Sequence, residues 1–518
     1  MEAQAVLTGK PFAKAEEKFE ELKLRLSAKE SLEMRHSDLE RMLESEGREL
    51  LRRLYQDHLA LRGPGPAKEP VVGNDGVERT HCRLHSRQLM SLFGEVKVSR
   101  LGYGAKGTTS LHPLDAALNL PDEKYSLEVR RRAAEFVAKN SYDEAVETLA
   151  KTTGAPVPKR QVEQLAVRAA RDFDAFYEAR QVSPDPDASR STGEIVVITA
   201  DGKGVAMRTE DLREGTKKAA EERQHKLSKR LSKGEKKNAK RMATVAAVYT
   251  IATFTRAPED IVKDLSPVKE VGVERPRPEN KRVWASLEKP PQEVIGEAMH
   301  EALQRDPCLL KKWVALVDGN PTQLRIMAEL AEKHGVQLRV VLDLIHVLEY
   351  LWKASYAFNP EGTPQAESWV TERLLQILQG RSSQVAGGIR RSATRRHLDG
   401  EARKAADECA NYLLKYAAYL RYDIYLAEGL PISTGVIEGA CRHLVKDRMD
   451  ITGARWSLQG GEAVLKLRSL RASRDFEEYW SFHEAQELKR NHEAPYANGR
   501  PPLCSTSGLR APHLHLVM

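Results

Sequence analysis

Three acidic residues stand in contexts suited to holding cations. Asp201 follows the apolar run EIVVITA (Glu194 to Ala200), and Asp318 follows WVALV (Trp313 to Val317). Each is succeeded by a glycine, which lets backbone or substrate approach closely. Glu438 falls in the first turn of a helix behind Ser433-Thr434, a natural N-cap pair. The three lie 117 and 120 residues apart in the order strand-Asp, strand-Asp, helix-Glu. A carboxylate at a strand end costs desolvation unless it meets a cation. If the two strands are parallel neighbours, Asp201 and Asp318 lie side by side and repel unless a divalent metal lies between them. Mg²⁺ takes oxygen ligands and keeps water and substrate phosphates in its shell. A third carboxylate from a packed helix completes a two-metal site for in-line displacement at phosphorus. One ion would activate water or a 3′-hydroxyl, and the other would stabilise the leaving oxygen. A single strand-Asp-Gly is most often a turn or a helix cap; the ordered triple is what singles these residues out.

Alternating strands and helices must position these acids. Strand patterns at 194–200, 243–255, 313–317 and 336–342 are interleaved with helical patterns at 292–304 and 322–334, which argues an α/β core. The third of these strand patterns ends at Asp318-Gly319-Asn320 and the fourth at Asp343. A long stretch, 352–430, carries no strand-like run and reads as all helical. The helix after Glu438 presents Arg442, His443, Lys446 and Arg448. Arg442 is one turn from Glu438 and can pair with it or with a phosphate. Trp456 can stack on a flipped base or pack in the core.

The first third of the chain has a different texture. Residues 12–62 repeat apolar positions (Phe19, Leu22, Leu26, Leu39, Met42, Leu50) at near-helical spacing, as in a packing or dimerising helix pair. Gly63-Pro64-Gly65-Pro66 breaks the chain. From Gly76 to Tyr103 the period changes to two, predicting a β-hairpin with its turn at Gly94-Glu95. His81, Cys82 and His85 lie here, but no second pair follows at zinc-finger spacing. Residues 125–180 are helical again. Within them, Tyr142 to Ala150, a Gly-containing turn, and Lys159 to Arg171 opening on Lys159-Arg160-Gln161 suit a helix-turn-helix whose second helix enters a major groove. Gln181 to Thr192 reads as a linker.

The 518 residues predict about three or four domains. Charged residues make up 30% and the net charge is +8, a mild hint of a polyanionic partner. Much of the excess is concentrated. Arg208 to Arg241 is strongly basic, with Lys226, Lys229, Arg230, Lys233, Lys236, Lys237, Lys240 and Arg241 at its end. Because it interrupts the α/β core it must project, and a basic projection beside an acidic site favours contact with phosphates. No apolar run approaches the roughly 20 residues of a membrane span, and the N-terminus has no apolar signal-like stretch. Five scattered cysteines without a CxxC fit a reduced compartment, so a cytoplasmic location is expected.

The strings ADGKG (Ala200 to Gly204), LVDGN (Leu316 to Asn320), VLDLIHVLEYLW (Val341 to Trp352) and TGVIEGACRHLVKDRMDITGARW (Thr434 to Trp456) resemble the transposases of ISKra-type bacterial insertion sequences. These are DDE enzymes with an RNase H-like core, similar in layout to Mutator-type transposases, and the resemblance runs from about Val72 to Asn498. It implies that Asp201, Asp318 and Glu438 form the catalytic, metal-holding triad, with two Mg²⁺ ions for which Mn²⁺ can substitute. It implies that Asp343-x-x-His346 supports the site as orienter or phosphate contact. It also implies partners: the terminal inverted repeats of the element, target DNA, and further copies of the chain. Relatives often carry cysteine pairs after the N-terminal hairpin; Tyr103 to Gly107 has none, which puts metal binding there in doubt. The expected organisation is an N-terminal helical region (1–62), a hairpin and helix-turn-helix DNA-binding region (63–180), a linker (181–192), the first part of the core (193–351) with a basic projection (208–241), a helical insertion (352–430), the last core helix (431–475) and a C-terminal tail (476–518). The expected activity is metal-dependent DNA cleavage and strand transfer. The rivals are a metal-dependent nuclease without strand transfer and a transposase-derived DNA-binding repressor.

Overall fold

The computed structural model describes residues 11–181, 192–222, 239–264, 274–433, 435–451 and 453–505. These form two compact units: the described residues up to Phe176 together with those from Phe476 onward, and Tyr177–Asp475. Residues 476–505, expected as a tail, therefore belong with the N-terminal unit. No helix of the described residues is long and apolar enough to cross a membrane.

In the first unit, strands β1 (His81–Ser91) and β2 (Gly94–Gly104) form the expected hairpin. Its tip differs from the expectation. Ser91 pairs with Gly94, so the turn is Leu92-Phe93 rather than Gly94-Glu95. Gly94 takes a φ of 127° and the Ser91 hydroxyl donates to its carbonyl at 2.7 Å, a geometry that a glycine admits without strain. The N-terminal helical region is broken into Ala13–Ser27, Lys29–Leu32 and His36–Arg62. Leu22 and Met42 are buried, whereas Phe19 stays exposed. The two helices of the expected helix-turn-helix are Tyr142–Thr152, started by a Ser141/Glu144 capping box, and Lys159–Ala169. Helix Phe476–Leu488 brings His483 and Glu487 to Asp172 and Arg130 in a buried polar network. Arg130 only donates, so His483 Nε2 accepts from it at 3.0 Å and Nδ1–H donates to Asp172 at 2.6 Å.

The second unit is built on a five-stranded mixed sheet: β3 (Ile195–Ala206), β4 (Lys240–Ile251), β5 (Glu279–Ser286), β6 (Lys312–Val317) and β7 (Leu338–Leu342), in the order β5-β4-β3-β6-β7. β3, β4 and β5 are antiparallel in succession, while β6 and β7 run parallel to β3. This mixed α/β arrangement is compatible with the expected RNase H-like core. Ile195 to Ala200 are all buried, and their β-branched side chains suit a central strand covered on both faces. Helix Pro291–Arg305 packs on β3 and β4, and helix Leu458–Ser473 packs on β5. From Leu344 to Ala427 every element is helical.

Two expectations about the sheet are corrected. β3 does not end at Asp201. Its ladder with β4 runs on to Ala206–Lys240, because the antiparallel partner continues alongside. The end of β3 is then closed by Trp456, whose N–H donates to the Ala206 carbonyl at 3.1 Å. β5 was not legible as a strand. Its polar opening, Glu279 to Arg282, lacks alternation, and Arg282 is buried only because Glu301 pairs with it at 2.5 Å and its guanidinium lies 3.4 Å over the Tyr177 ring.

Candidate active site

The sheet register brings the two aspartates together. β3 and β6 are paired in parallel up to Thr199–Leu316, and extending that register two residues sets Asp201 opposite Asp318. β6 and β7 are paired up to Val317–Leu342, so Asp343 is next to Asp318 in the same row. Its N–H donates to the Val317 carbonyl at 2.8 Å. The parallel half of the sheet thus ends in a row of three aspartates, of which Asp201 alone continues into strand.

Each aspartate is held differently. Asp201 Oδ1 accepts the Gly202 N–H at 2.6 Å and Oδ2 accepts the Cys441 thiol at 3.1 Å. Asp318 is half-buried, and its Oδ1 accepts the Asn320 N–H at 2.8 Å, a turn that leads into helix Pro321–His334 capped by Asn320. Asp343 is 5% exposed and caps helix Leu344–Ser355 by accepting the Ile345 N–H at 3.1 Å. It is a helix cap in the site's floor, and it places half-buried His346 at the start of that helix.

Glu438 comes from helix Gly435–Ala440 at the solvent edge. Its carboxyl is raised above the ordinary carboxylate range, first by partial burial, then by repulsion from Glu349 and Asp201, with His346 pulling the other way. The third acid therefore lies within electrostatic reach of the first and of His346. The donor set is all carboxylate and mutually repelling, which fits hard divalent cations. The carboxylates do not close on a single point. Among the described residues, the one group of three metal-capable side chains with donor atoms within 4.8 Å of each other is Asp172, His483 and Glu487, which Arg130 and Arg490 already neutralise. Asp201, Asp318 and Glu438 are the residues that would hold such cations, through carboxylate oxygens.

The basic residues divide into exposed and committed groups. His443 and Arg442 both turn to Asp447, at 3.0 and 3.8 Å, and Arg442 is not paired with Glu438 as its spacing suggested. Asp447 lies on the C-terminal side of both residues, whereas Glu438 lies on the N-terminal side. Lys446 is exposed. Arg448, a candidate DNA contact, and Trp456, a candidate for either base stacking or packing, are only 3% and 5% exposed. The Arg448 guanidinium stacks 4.7 Å over the Trp456 ring, and the indole N–H donates to the Met449 carbonyl at 3.1 Å, so both belong to the core. Arg241 donates to the carbonyls of Leu287 and Asp211 at 2.8 and 3.1 Å, which commits it to the fold, while Lys240 reaches Asp450 at 3.4 Å. Lys226, Lys229, Arg230, Lys233, Lys236 and Lys237 lie outside the described residues. In the first unit, Lys159 pairs with Asp143 at 2.7 Å and Arg160 is exposed.

Several residues of the site were not found by reading the sequence. Cys441 is three residues beyond Glu438, and Glu349 three beyond His346; helical spacing puts each on its neighbour's face. Four tyrosines of the helical segment donate to carbonyls of β7 and of the loop just after β6. Tyr412 reaches Asp318 at 3.1 Å, Tyr416 reaches Gly319 at 2.5 Å, Tyr422 reaches Leu342 at 2.7 Å and Tyr425 reaches Val340 at 3.2 Å. Their i,i+4 and i,i+3 spacings were visible, but nothing in sequence named their acceptors.

Comparison with known proteins adds a likeness among solved structures. No family model and no curated protein matches the chain. Among solved structures, it is similar to the Drosophila P element transposase strand transfer complex. The identity is 12% and the TM-score 0.25, over 72% of this chain and 83% of that chain.

Proposed function

We propose that this chain is a DDE-type transposase that cuts DNA at the ends of its own element and joins the freed ends to target DNA. The observation that carries the reading is the register that sets Asp201 opposite Asp318, with the helix of Glu438 packed against the strand of Asp201. In this reading Asp201, Asp318 and Glu438 hold two divalent cations. Bound there, Mg²⁺ or Mn²⁺ supplies Lewis-acid activation of the attacking oxygen and stabilisation of the leaving one. Asp343 and the tyrosines fix the acids at the strand ends. His346 lies within electrostatic reach of Glu438 and favours its charged form. Glu438 and Lys446 are exposed, so a DNA backbone can reach the site from that side. Arg160, on the exposed start of helix Lys159–Ala169, serves end recognition.

The test uses short duplexes carrying the ends of the DNA that flanks the gene. Wild-type protein with Mg²⁺ is expected to nick these ends and, given 3′-hydroxyl ends, to yield joined product. Asp201→Asn is expected to bind the ends nearly as well and to cleave none. Cleavage by that variant would sink the triad assignment, and nicking without joined product would make the protein a nuclease.

A further inference from the structure

Helix Gly435–Ala440 passes directly into the π-helical stretch Cys441–Lys446. π turns occur mostly as single insertions and often at functional positions. Cys441 begins this one and lies three residues beyond Glu438, so the two share a face. That face meets β3, where the buried thiol lies 3.1 Å from Asp201 Oδ2. The other oxygen of Asp201 is taken by the Gly202 N–H at 2.6 Å. A carboxylate oxygen only accepts, so the thiol is the donor of this bond. This bond ties the helix of the third acid to the strand of the first.

We propose that Cys441 is a positioning residue: its thiol fixes the rotamer of the Asp201 carboxylate and the distance from Asp201 to the Glu438 helix, and so sets cation affinity. This rests on the reading of Asp201 as a cation-holding residue. The competing account is that Cys441 is a small apolar side chain filling space. The two differ in whether the hydrogen-bond donor or the volume matters.

The experiment measures Mn²⁺ binding to the full chain without DNA, by loss of the free-ion electron paramagnetic resonance signal, with thermal melting as the fold control. Cys441→Ser keeps a donor, whereas Cys441→Ala and Cys441→Val remove it at smaller and larger volume. Partners that orient metal ligands are worth about 10–100-fold in affinity, and a weak S–H donor belongs at the low end. Cys441→Ala and Cys441→Val are each expected to weaken Mn²⁺ binding about tenfold, and Cys441→Ser by no more than about threefold. Wild-type affinity in either donor-free variant overturns the proposal, as does a serine variant as weak as alanine. Should the donor-free variants fail to fold, the S–H stretching band of the wild-type protein decides. It is expected at lowered frequency and to shift back up in Asp201→Asn; a band that does not move overturns the proposal. If Asp201→Asn leaves Mn²⁺ binding intact while the band still shifts, the triad reading has failed and the thiol–carboxylate bond has not.

Discussion

The phenol of Tyr412 donates to the main-chain carbonyl of Asp318 at 3.1 Å, and Tyr416, one turn on, donates to that of Gly319 at 2.5 Å. The helical segment that follows β7 thus clamps the loop bearing the second acid. Removing both phenolic donors (Tyr412→Phe with Tyr416→Phe) is expected to cost about 1 kcal/mol of stability per bond. A misplacement of about 1 Å near reacting atoms can cost about a hundredfold in rate. Single-turnover cleavage is therefore expected to fall about ten- to a hundredfold with end binding unchanged, measured by gel-based nicking beside a binding titration.

Gly319 sharpens the same point. Its φ is 95°, and a Cβ there would stand 3.1 Å from the Tyr416 ring. Gly319→Ala is expected to destabilise by about 1–3 kcal/mol and to lose cleavage. Gly335→Ala, with a φ of 66° but open space around its Cβ, is the control for backbone strain alone. Chemical denaturation and cleavage of the two variants separate strain from displacement of Asp318.

Glu438 is raised by burial and by its acidic neighbours Glu349 and Asp201. Glu349→Gln removes one repulsion, so the Glu438 carboxyl in metal-free protein is expected to titrate at lower pH. Carbon-detected nuclear magnetic resonance of the side-chain carboxyl measures this. An unmoved titration would show that Glu349 does not face Glu438.

The acid limit of stability has a defined source in Glu301. Burial would raise its carboxyl, but Arg282 and Arg305 outweigh that and hold it at about 2. A carboxyl depressed in the folded state stabilises above its unfolded pKa, and this is lost as pH falls toward the folded value. Part of the stability is thus expected to disappear between about pH 4.5 and pH 2. Glu301→Gln is expected to be destabilised by about 3–5 kcal/mol at neutral pH and to show a flatter acid profile in urea melts.

Trp456 and Arg448 act inside the fold. Trp456→Ala is expected to destabilise by about 3–5 kcal/mol, and Arg448→Gln to leave the salt dependence of DNA binding by the folded fraction unchanged. A phosphate contact would instead change the slope by about one unit per charge lost. Arg160→Ala is the variant expected to change it.

Residue patterns were enough for the α/β alternation, the hairpin, the two helices near 142–150 and 159–171, and the acids to examine. These are local properties: apolar period, caps and turn residues are written within a few positions of each other. Folding adds that β3 runs through Asp201, that Glu279–Ser286 is a strand, and that the described residues from Phe476 onward belong to the first unit. It likewise adds that Arg448 and Trp456 are core, that Cys441 touches Asp201, and that four tyrosines hold β7 and the loop just after β6. Strand pairing, burial of a charge and the choice of a hydrogen-bond acceptor depend on partners tens to hundreds of residues away. Residue type does not encode which partner arrives; packing does.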